Sequence, residues 1–369
     1  MEGTKGAMES MGRGSRMNFW TGRKVFLTGH TGFKGTWLCK MLEMLGAKVY
    51  GYALKEDTEF YRVAQPQIVK SVLGDIADKE KLLMAMEDIH PEIVIHFASH
   101  STLNKSYEIT DYIFNTNVMG LVSLLECIRK VAGIKAVLVV TSDKCYKNME
   151  SEEGYREDSV LGGGDPYSSS KACQELVTEC YRHSFFAIDK LNIPIATARA
   201  SNVIGGGDYH YDRLLPGLVK SFLYQENANV RKPDAVRPWQ NVLDVLGGYL
   251  CLARKMAQSG NANSIYSSAF NFGPESDGIL SVGRLVEMIA EHFKKISYNI
   301  NDSLDVDETK VLKISSNKAK NILGWQRVYS IEETVKMAVL FEQRRFAGES
   351  AKRLCEEYVN DFFGRKKYE

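Results

Sequence analysis

The chain has 369 residues, 44% of them hydrophobic and 25% charged, with 47 basic against 46 acidic side chains. This length and composition support two packed units with a sizeable core, and a formal charge of +1 argues against broad electrostatic capture of nucleic acid or membrane. The seven cysteines form no CxxC pair and no Cys/His cluster of zinc spacing, which predicts reduced thiols in a cytoplasmic protein with no metal site.

No apolar run reaches the roughly 18 residues that a membrane span requires. Residues 1–16, rich in Gly, Met and Ser, read as an expression leader, with the native start near Met17. From there the pattern predicts a strand at 24–28, a helix at 36–45 and a strand at 48–52. It repeats as helix 80–89, strand 93–97, helix 107–131, strand 136–140, helix 167–189 and strand 193–199. Strands that are wholly apolar and alternate with helices predict an α/β fold: a Rossmann-type, doubly wound parallel sheet covered on both faces. After Asn202 the regularity breaks, with a strand at 269–273 and helices at 282–293, 315–323 and 331–345. Residues 17–200 are thus assigned to a dinucleotide-binding domain and 201–345 mainly to a smaller mixed α/β substrate-binding domain, with room for the chain to cross back. The charged stretch 346–369 is expected at the periphery.

The loop Thr28–Gly35 (TGHTGFKG) follows the first strand and opens the first helix. Gly29, Gly32 and Gly35 there permit a tight turn, close approach of backbone to a pyrophosphate and close helix packing. The carboxylate that holds an adenosine ribose is expected at the end of the second strand. This strand runs instead into Ala53, Leu54 and Lys55, so the choice between NAD and NADP stays open at that point. Asp75, after a third strand, is a candidate partner for the adenine amino group, or else an ordinary loop aspartate. Tyr167 and Lys171 lie four residues apart on one helix face, where a nearby ammonium and a nicotinamide's charge would lower the phenol's pKa. Ser142 follows the strand 136–140 at the edge where ligands of such sheets bind. Serine, tyrosine and lysine in this order point to proton transfer at a carbon undergoing oxidation.

These stretches, together with TSDKCY, DPYSSSKACQELV, NVIGGGD, DRLLP and RPWQN, resemble the extended short-chain dehydrogenase/reductase family, in particular its CDP-glucose 4,6-dehydratase branch. The resemblance runs almost continuously from Phe19 to Trp325. It implies a tightly held NAD, with NADP not excluded, bound by Gly29, Thr31, Gly32, Phe33, Gly35, Asp75, Ile76, Phe97, Ala98, Tyr167 and Lys171. It implies a nucleotide-diphosphate sugar as substrate, CDP-glucose first, held by Asn117, Asn202, Arg213, Leu214 and Arg237. Ser142 would bond the sugar's C4 oxygen, with Tyr167 as base there. Asp143 would protonate the departing C6 hydroxyl. Lys144 stands where related dTDP-glucose enzymes carry a glutamate that removes the C5 proton; it would act as that base or stabilise the enolate. The reaction implied is internal redox: oxidation at C4, loss of water across C5–C6 and reduction at C6.

Departures from the family pattern fall on the substrate side: His100–Asn104 in place of Gln-Pro-Leu-Val-Arg, Met149–Glu153 in place of a tryptophan-rich segment, Tyr209 for Trp and Asn241 for His. A dehydratase of another nucleotide sugar, or an epimerase or reductase on the same scaffold, are the alternative readings; a non-catalytic NAD(P)-binding protein is the remote one. Relatives pair the helices at 107–131 and 167–189 into a four-helix interface, so the resemblance also implies a homodimer, or a tetramer built from it.

Overall fold

The computed structural model describes residues 19–55, 58–101, 106–151, 153–188, 191–300 and 312–366. The expected leader and Met17 lie outside the described residues, as do Leu103 and Asn104.

Strands β1 (Lys24–Thr28), β2 (Lys48–Ala53), β3 (Lys70–Leu73), β4 (Ile93–His96), β5 (Ala136–Val140) and β6 (Ile195–Ala200) form one parallel sheet. With a strand from later in the chain, Ala269–Phe272, the sheet has seven strands in the order Ala269–Phe272, β6, β5, β4, β1, β2, β3. Residues alternate between its faces. Val25, Leu27, Ile93, Ile95 and Leu138 enter one core, while Phe26, Val94, Val137 and Val139 enter the other. Both faces are buried in apolar clusters, which is why the central strands read as apolar runs.

Helices α1 (Phe33–Met44), α2 (Glu59–Ala64) and α3 (Lys79–Ile89) follow the first three strands. The predicted helix at 107–131 is a run of three pieces, Thr110–Phe114, a π-turn Asn115–Met119 and Gly120–Ile128, together α4. The predicted helix at 167–189 is α5 (Pro166–Tyr181), continued by a π-turn Arg182–Phe186; Asp189 lies outside the described residues.

Beyond β6, a three-stranded sheet of β7 (Asn202–Ile204), β9 (Val236–Asn241) and β11 (Ile279–Ser281) forms a smaller body. A short parallel pair, β8 (Ala228–Val230) with β12 (Tyr298–Ile300), belongs to it, as do α6 (Leu214–Tyr224) and α8 (Val282–Ala290). Between these pieces the chain crosses back. Helix α7 (Val242–Ser259) packs in the core over β5 and β6 and leads to β10 (Ala269–Phe272), the edge strand of the large sheet. Helix α9 (Ile331–Phe346) then joins the two bodies, with Val335 and Val339 in the small core and Phe341 in the large one.

The C-terminal stretch differs from its expected peripheral place. It forms α10 (Ala351–Arg365), whose Leu354, Cys355, Val359 and Phe362 are fully buried in the core that α1 covers. Its charges lie on the outer face, so charge density concealed an amphipathic helix.

Candidate active site

All strands of the large sheet point the same way, so the loops after β1, β4, β5 and β6 gather at one edge. The sequence-predicted residues sit on these loops and on the helices that leave them.

After β1, Gly29 turns with φ 70°, and a Cβ on it would lie 2.8 Å from the Ala98 backbone nitrogen. A Cβ on Gly35 would lie 2.2 Å from the Gly29 carbonyl oxygen. The two glycines thus create a cradle of bare backbone at the N-terminus of α1, with Gly32 at its N-cap, suited to a pyrophosphate. Thr31 closes it from the β2 side by donating to the Lys55 carbonyl at 2.8 Å. Asp75, half-buried after β3, accepts from the Ala77 N–H at 2.9 Å. Phe97 and Ala98 follow β4 beside the cradle, with the Ala98 N–H directed to Thr28 Oγ1 at 3.2 Å. Two predicted cofactor residues are placed differently. The Phe33 side chain packs 6.3 Å from Phe60 in an aromatic cluster, and Ile76 is buried in the core against Gly120, so neither side chain faces the cradle.

The catalytic candidates come from two elements. Asp165 caps α5 by accepting from the Ser168 N–H at 2.8 Å, and Pro166 opens the helix, which fixes Tyr167 in its first turn. Across from it, Ser142 leaves β5 in extended conformation and caps a 3₁₀ turn, Asp143–Cys145, accepting from the Lys144 N–H at 3.3 Å. Ser142 acts on the Tyr167 phenol so as to favour its ionised form. Ser142 Oγ also donates to Asp143 Oδ1 at 3.1 Å. Asp143 Oδ2 is buried with no hydrogen-bond partner among the described residues. Lys144 stands half-exposed in the same turn.

Electrostatically, the site departs from the sequence expectation. Burial pushes the Tyr167 phenol up to about 12, with Ser142 pulling the other way. Lys171 is itself brought down to about 7, by burial and then by the charge of Lys34, against the opposing pull of Glu175. Its Nζ donates to Gln174 at 2.9 Å rather than to the phenol. With the Lys171 amine directed to Gln174, desolvation prevails at the phenol in the chain alone.

The substrate-side candidates divide. Asp208, after the glycines that follow β7, accepts from Arg213 Nη1 and from His210 Nδ1, both at 2.8 Å. Arg213 Nη2 reaches across to Ser101 Oγ at 3.0 Å, and its charge acts on both Tyr167 and Lys34. Arg213 therefore overlooks the site. Asn202 is half-buried at the start of β7, Leu214 opens α6, and Arg237 lies in β9, donating to the Val236 carbonyl at 2.9 Å. Asn117 is placed differently from expectation. It is fully buried, accepts from the His100 N–H at 2.8 Å and donates to His100 O at 3.1 Å and Ser170 Oγ at 2.9 Å. Its amide ties α4 to α5 and to the segment after β4, instead of facing a ligand. The departure at Asn241 has a local reason, since its side chain accepts from the Leu243 N–H at 2.8 Å and caps α7.

Three residues escaped the sequence reading. Lys34, within the glycine loop, interacts electrostatically with Asp143, Asp208 and Arg213, and burial brings it down to about 8. Tyr249 is buried with an unpartnered hydroxyl among the described residues and interacts with Asp143 and Tyr167. Glu175 lies four residues beyond Lys171, a spacing that could have flagged it.

Residues 26–338 match the family described as GDP-mannose 4,6 dehydratase. The chain belongs to that family. It is 39% identical to a CDP-glucose 4,6-dehydratase of Salmonella typhimurium, over 94% of this chain and 97% of that protein. An epimerase from Methanothermobacter thermautotrophicus has the same fold, with a TM-score of 0.79 at 21% identity, covering 94% of this chain and 97% of its own. A dTDP-glucose 4,6-dehydratase from Bacillus anthracis, solved in complex with NAD, gives a TM-score of 0.73 at 22% identity, covering 90% and 99%. The family and the relatives give the class of enzyme, an NAD-dependent nucleotide-sugar 4,6-dehydratase that acts as a lyase. Among the described residues no helix is long and apolar enough to cross a membrane.

Proposed function

We propose that the substrate is CDP-glucose and that Ser142, Asp143, Lys144, Tyr167 and Lys171 carry its conversion to the 4-keto-6-deoxy sugar. The observation that carries this reading is the placing of two sets of groups on one sheet edge. The Ser142–Tyr167 pair suits an alcohol proton, and the neighbouring turn carries Lys144 together with a buried Asp143 carboxylate oxygen that has no hydrogen-bond partner among the described residues. Oxidation alone would use only the first pair. The second set gives elimination an acid and a base. The CDP assignment is supported by 39% identity along nearly the whole chain to an enzyme of that name.

NAD bound over the Gly29–Gly35 cradle would take up two electrons at C4 and return them at C6, and its cationic ring would bring the Tyr167 phenol down from its value in the chain alone. Tyr167 takes the C4 hydroxyl proton while Ser142 bonds the same oxygen. Lys171 holds the cofactor ribose. The resulting ketone acidifies C5, and Lys144 removes that proton. Asp143 protonates the C6 oxygen, which leaves as water. The proton gained by Tyr167 balances the one given by Asp143, and Lys144 returns its own to C5. Asn202, Arg213 and Arg237 hold the diphosphate, where the planar guanidinium fork suits paired phosphate oxygens. Two protomers associate through α4 and α5, on which Met119 and Leu176 are more than half exposed.

Asp143→Asn tests the division of labour. It is expected to keep oxidation at C4, seen as absorbance of reduced cofactor at about 340 nm on mixing with CDP-glucose, while the release of water stops. Full dehydration by this variant would remove Asp143 from the mechanism.

A further inference from the structure

The reacting groups come from two separate elements, the turn after β5 and the helix α5, and one buried carboxylate joins them. Glu175 lies on the same face of α5 as Tyr167 and Lys171, about two turns beyond the first and one beyond the second. Its Oε1 accepts from Thr141, the residue before Ser142. Its Oε2 accepts from Thr197 Oγ1 at 2.7 Å and from Arg199 Nη2 at 2.8 Å. Arg199 Nη1 in turn donates to the Tyr146 hydroxyl at 2.7 Å and to the Glu157 carbonyl at 3.0 Å. The Tyr146 hydroxyl passes the chain on to Asn271 Oδ1 at 2.7 Å, on β10. Thr141 and Tyr146 flank the turn that carries Ser142, Asp143 and Lys144. Both ends of that turn are therefore fastened through a single ion pair whose partners are each 3% exposed.

We propose that Glu175 is a positioning residue, which through Thr141 and the Arg199–Tyr146 link sets the Ser142–Asp143–Lys144 turn in register with Tyr167 and Lys171. This rests on the catalytic roles given above. A buried ion pair is weak evidence for stability in itself, because an apolar pair of similar volume often serves as well. An apolar pair, however, would leave the turn free to slide. Directional bonds to Thr141, Thr197 and Tyr146 fix it in one place. Arg199 and the hydroxyls hold the Glu175 carboxyl below the usual range although burial opposes this, so the hub stays charged.

The test uses the full chain with Thr141→Val, which removes only the hydroxyl, Tyr146→Phe, which releases the other end, and Thr141→Ser, which keeps the bond. Displacing reacting groups by an ångström or less costs on the order of 10- to 100-fold in rate. Thr141→Val and Tyr146→Phe are expected to lose kcat on that scale, with KM for CDP-glucose changed by less than roughly twofold, and Thr141→Ser to restore it. Amide hydrogen exchange is measured in parallel on the segment 142–146, with Tm recorded for each variant. Exchange there is expected to quicken in Thr141→Val and Tyr146→Phe and to match the parent in Thr141→Ser. Parental kcat and parental exchange in Thr141→Val would overturn the proposal, as would a loss that appears only as a lower Tm. If the parent itself dehydrates no nucleotide sugar, the catalytic reading fails, and the exchange comparison alone decides whether the hub sets the turn.

Discussion

Tyr167 and Lys171 show how burial and partners divide the control of one site. Both lie on the inward face of α5, and burial raises the phenol while lowering the amine. Tyr167→Phe should lower turnover by about 10² to 10⁴, the range for loss of a positioned general base, with Tm held, because only a hydroxyl is removed. Lys171 gives a pH prediction of definite sign. Folding lowers it from 10.5 to about 7, so the fold bears no charge-burial cost above the unfolded value and the whole cost below the folded one. Lys171→Met should therefore raise Tm at pH 6 more than at pH 10 in the cofactor-free protein; an equal change at both would refute the burial argument. At this scale the sequence offered Ser142 as a candidate from its place after β5, and Tyr167 and Lys171 from their spacing on one helix face. It could not show that Asn117 is fully engaged by His100 and Ser170, which depends on contacts between distant segments, nor that the Lys171 amine turns to Gln174 one helical turn on, which depends on the side-chain rotamer.

Among the elements, α9 has the most to do with the substrate side. Glu342 accepts from the Gly207 N–H at 2.7 Å and so pins the glycine loop that leads to Asp208 and Arg213. Burial, and then the nearby Glu59 and Asp208, raise its carboxyl to about 7 against the opposing Gly207 bond. A carboxyl raised on folding stabilises the native state below the unfolded pKa and loses that contribution as pH rises through the folded one. Glu342→Gln should keep the bond to Gly207 and gain Tm over the parent at pH 8 but little at pH 5, as thermal melts would show. Helix α10 makes a second prediction. Phe362→Ala should cost about 3–5 kcal/mol, the range for a fully buried aromatic, whereas a peripheral helix would lose little in a denaturant titration. The elements of the large sheet were legible because β5 is apolar throughout and β4 is apolar up to its closing His96. Helix α7 was not, since it is buried over most of its circumference from Val242 to Met256 and shows no polar stripe to set a period. The charges of α10 concealed its apolar face for the opposite reason.

For the whole molecule, the chain's return from the small body through α7 and β10 makes the cleft a product of both bodies, with α9 spanning them. The α/β class and the parallel sheet followed from the alternation of strands and helices; a return crossing was allowed for and the strand at 269–273 expected, but its place at the sheet edge was not legible, because the helix before it, α7, showed no period of its own. Association through α4 and α5 predicts a dimer mass by light scattering, reduced to a monomer by Leu176→Lys with Met119→Lys; a parent that is already monomeric would contradict it. The central claim is that this cleft removes water from CDP-glucose. It is tested most directly by incubating the protein and NAD with CDP-, UDP-, GDP- and dTDP-glucose separately and measuring product mass. The account predicts loss of one water from CDP-glucose alone, abolished by Tyr167→Phe. No change of mass with any of the four, or loss of water from another sugar nucleotide in its place, would contradict it.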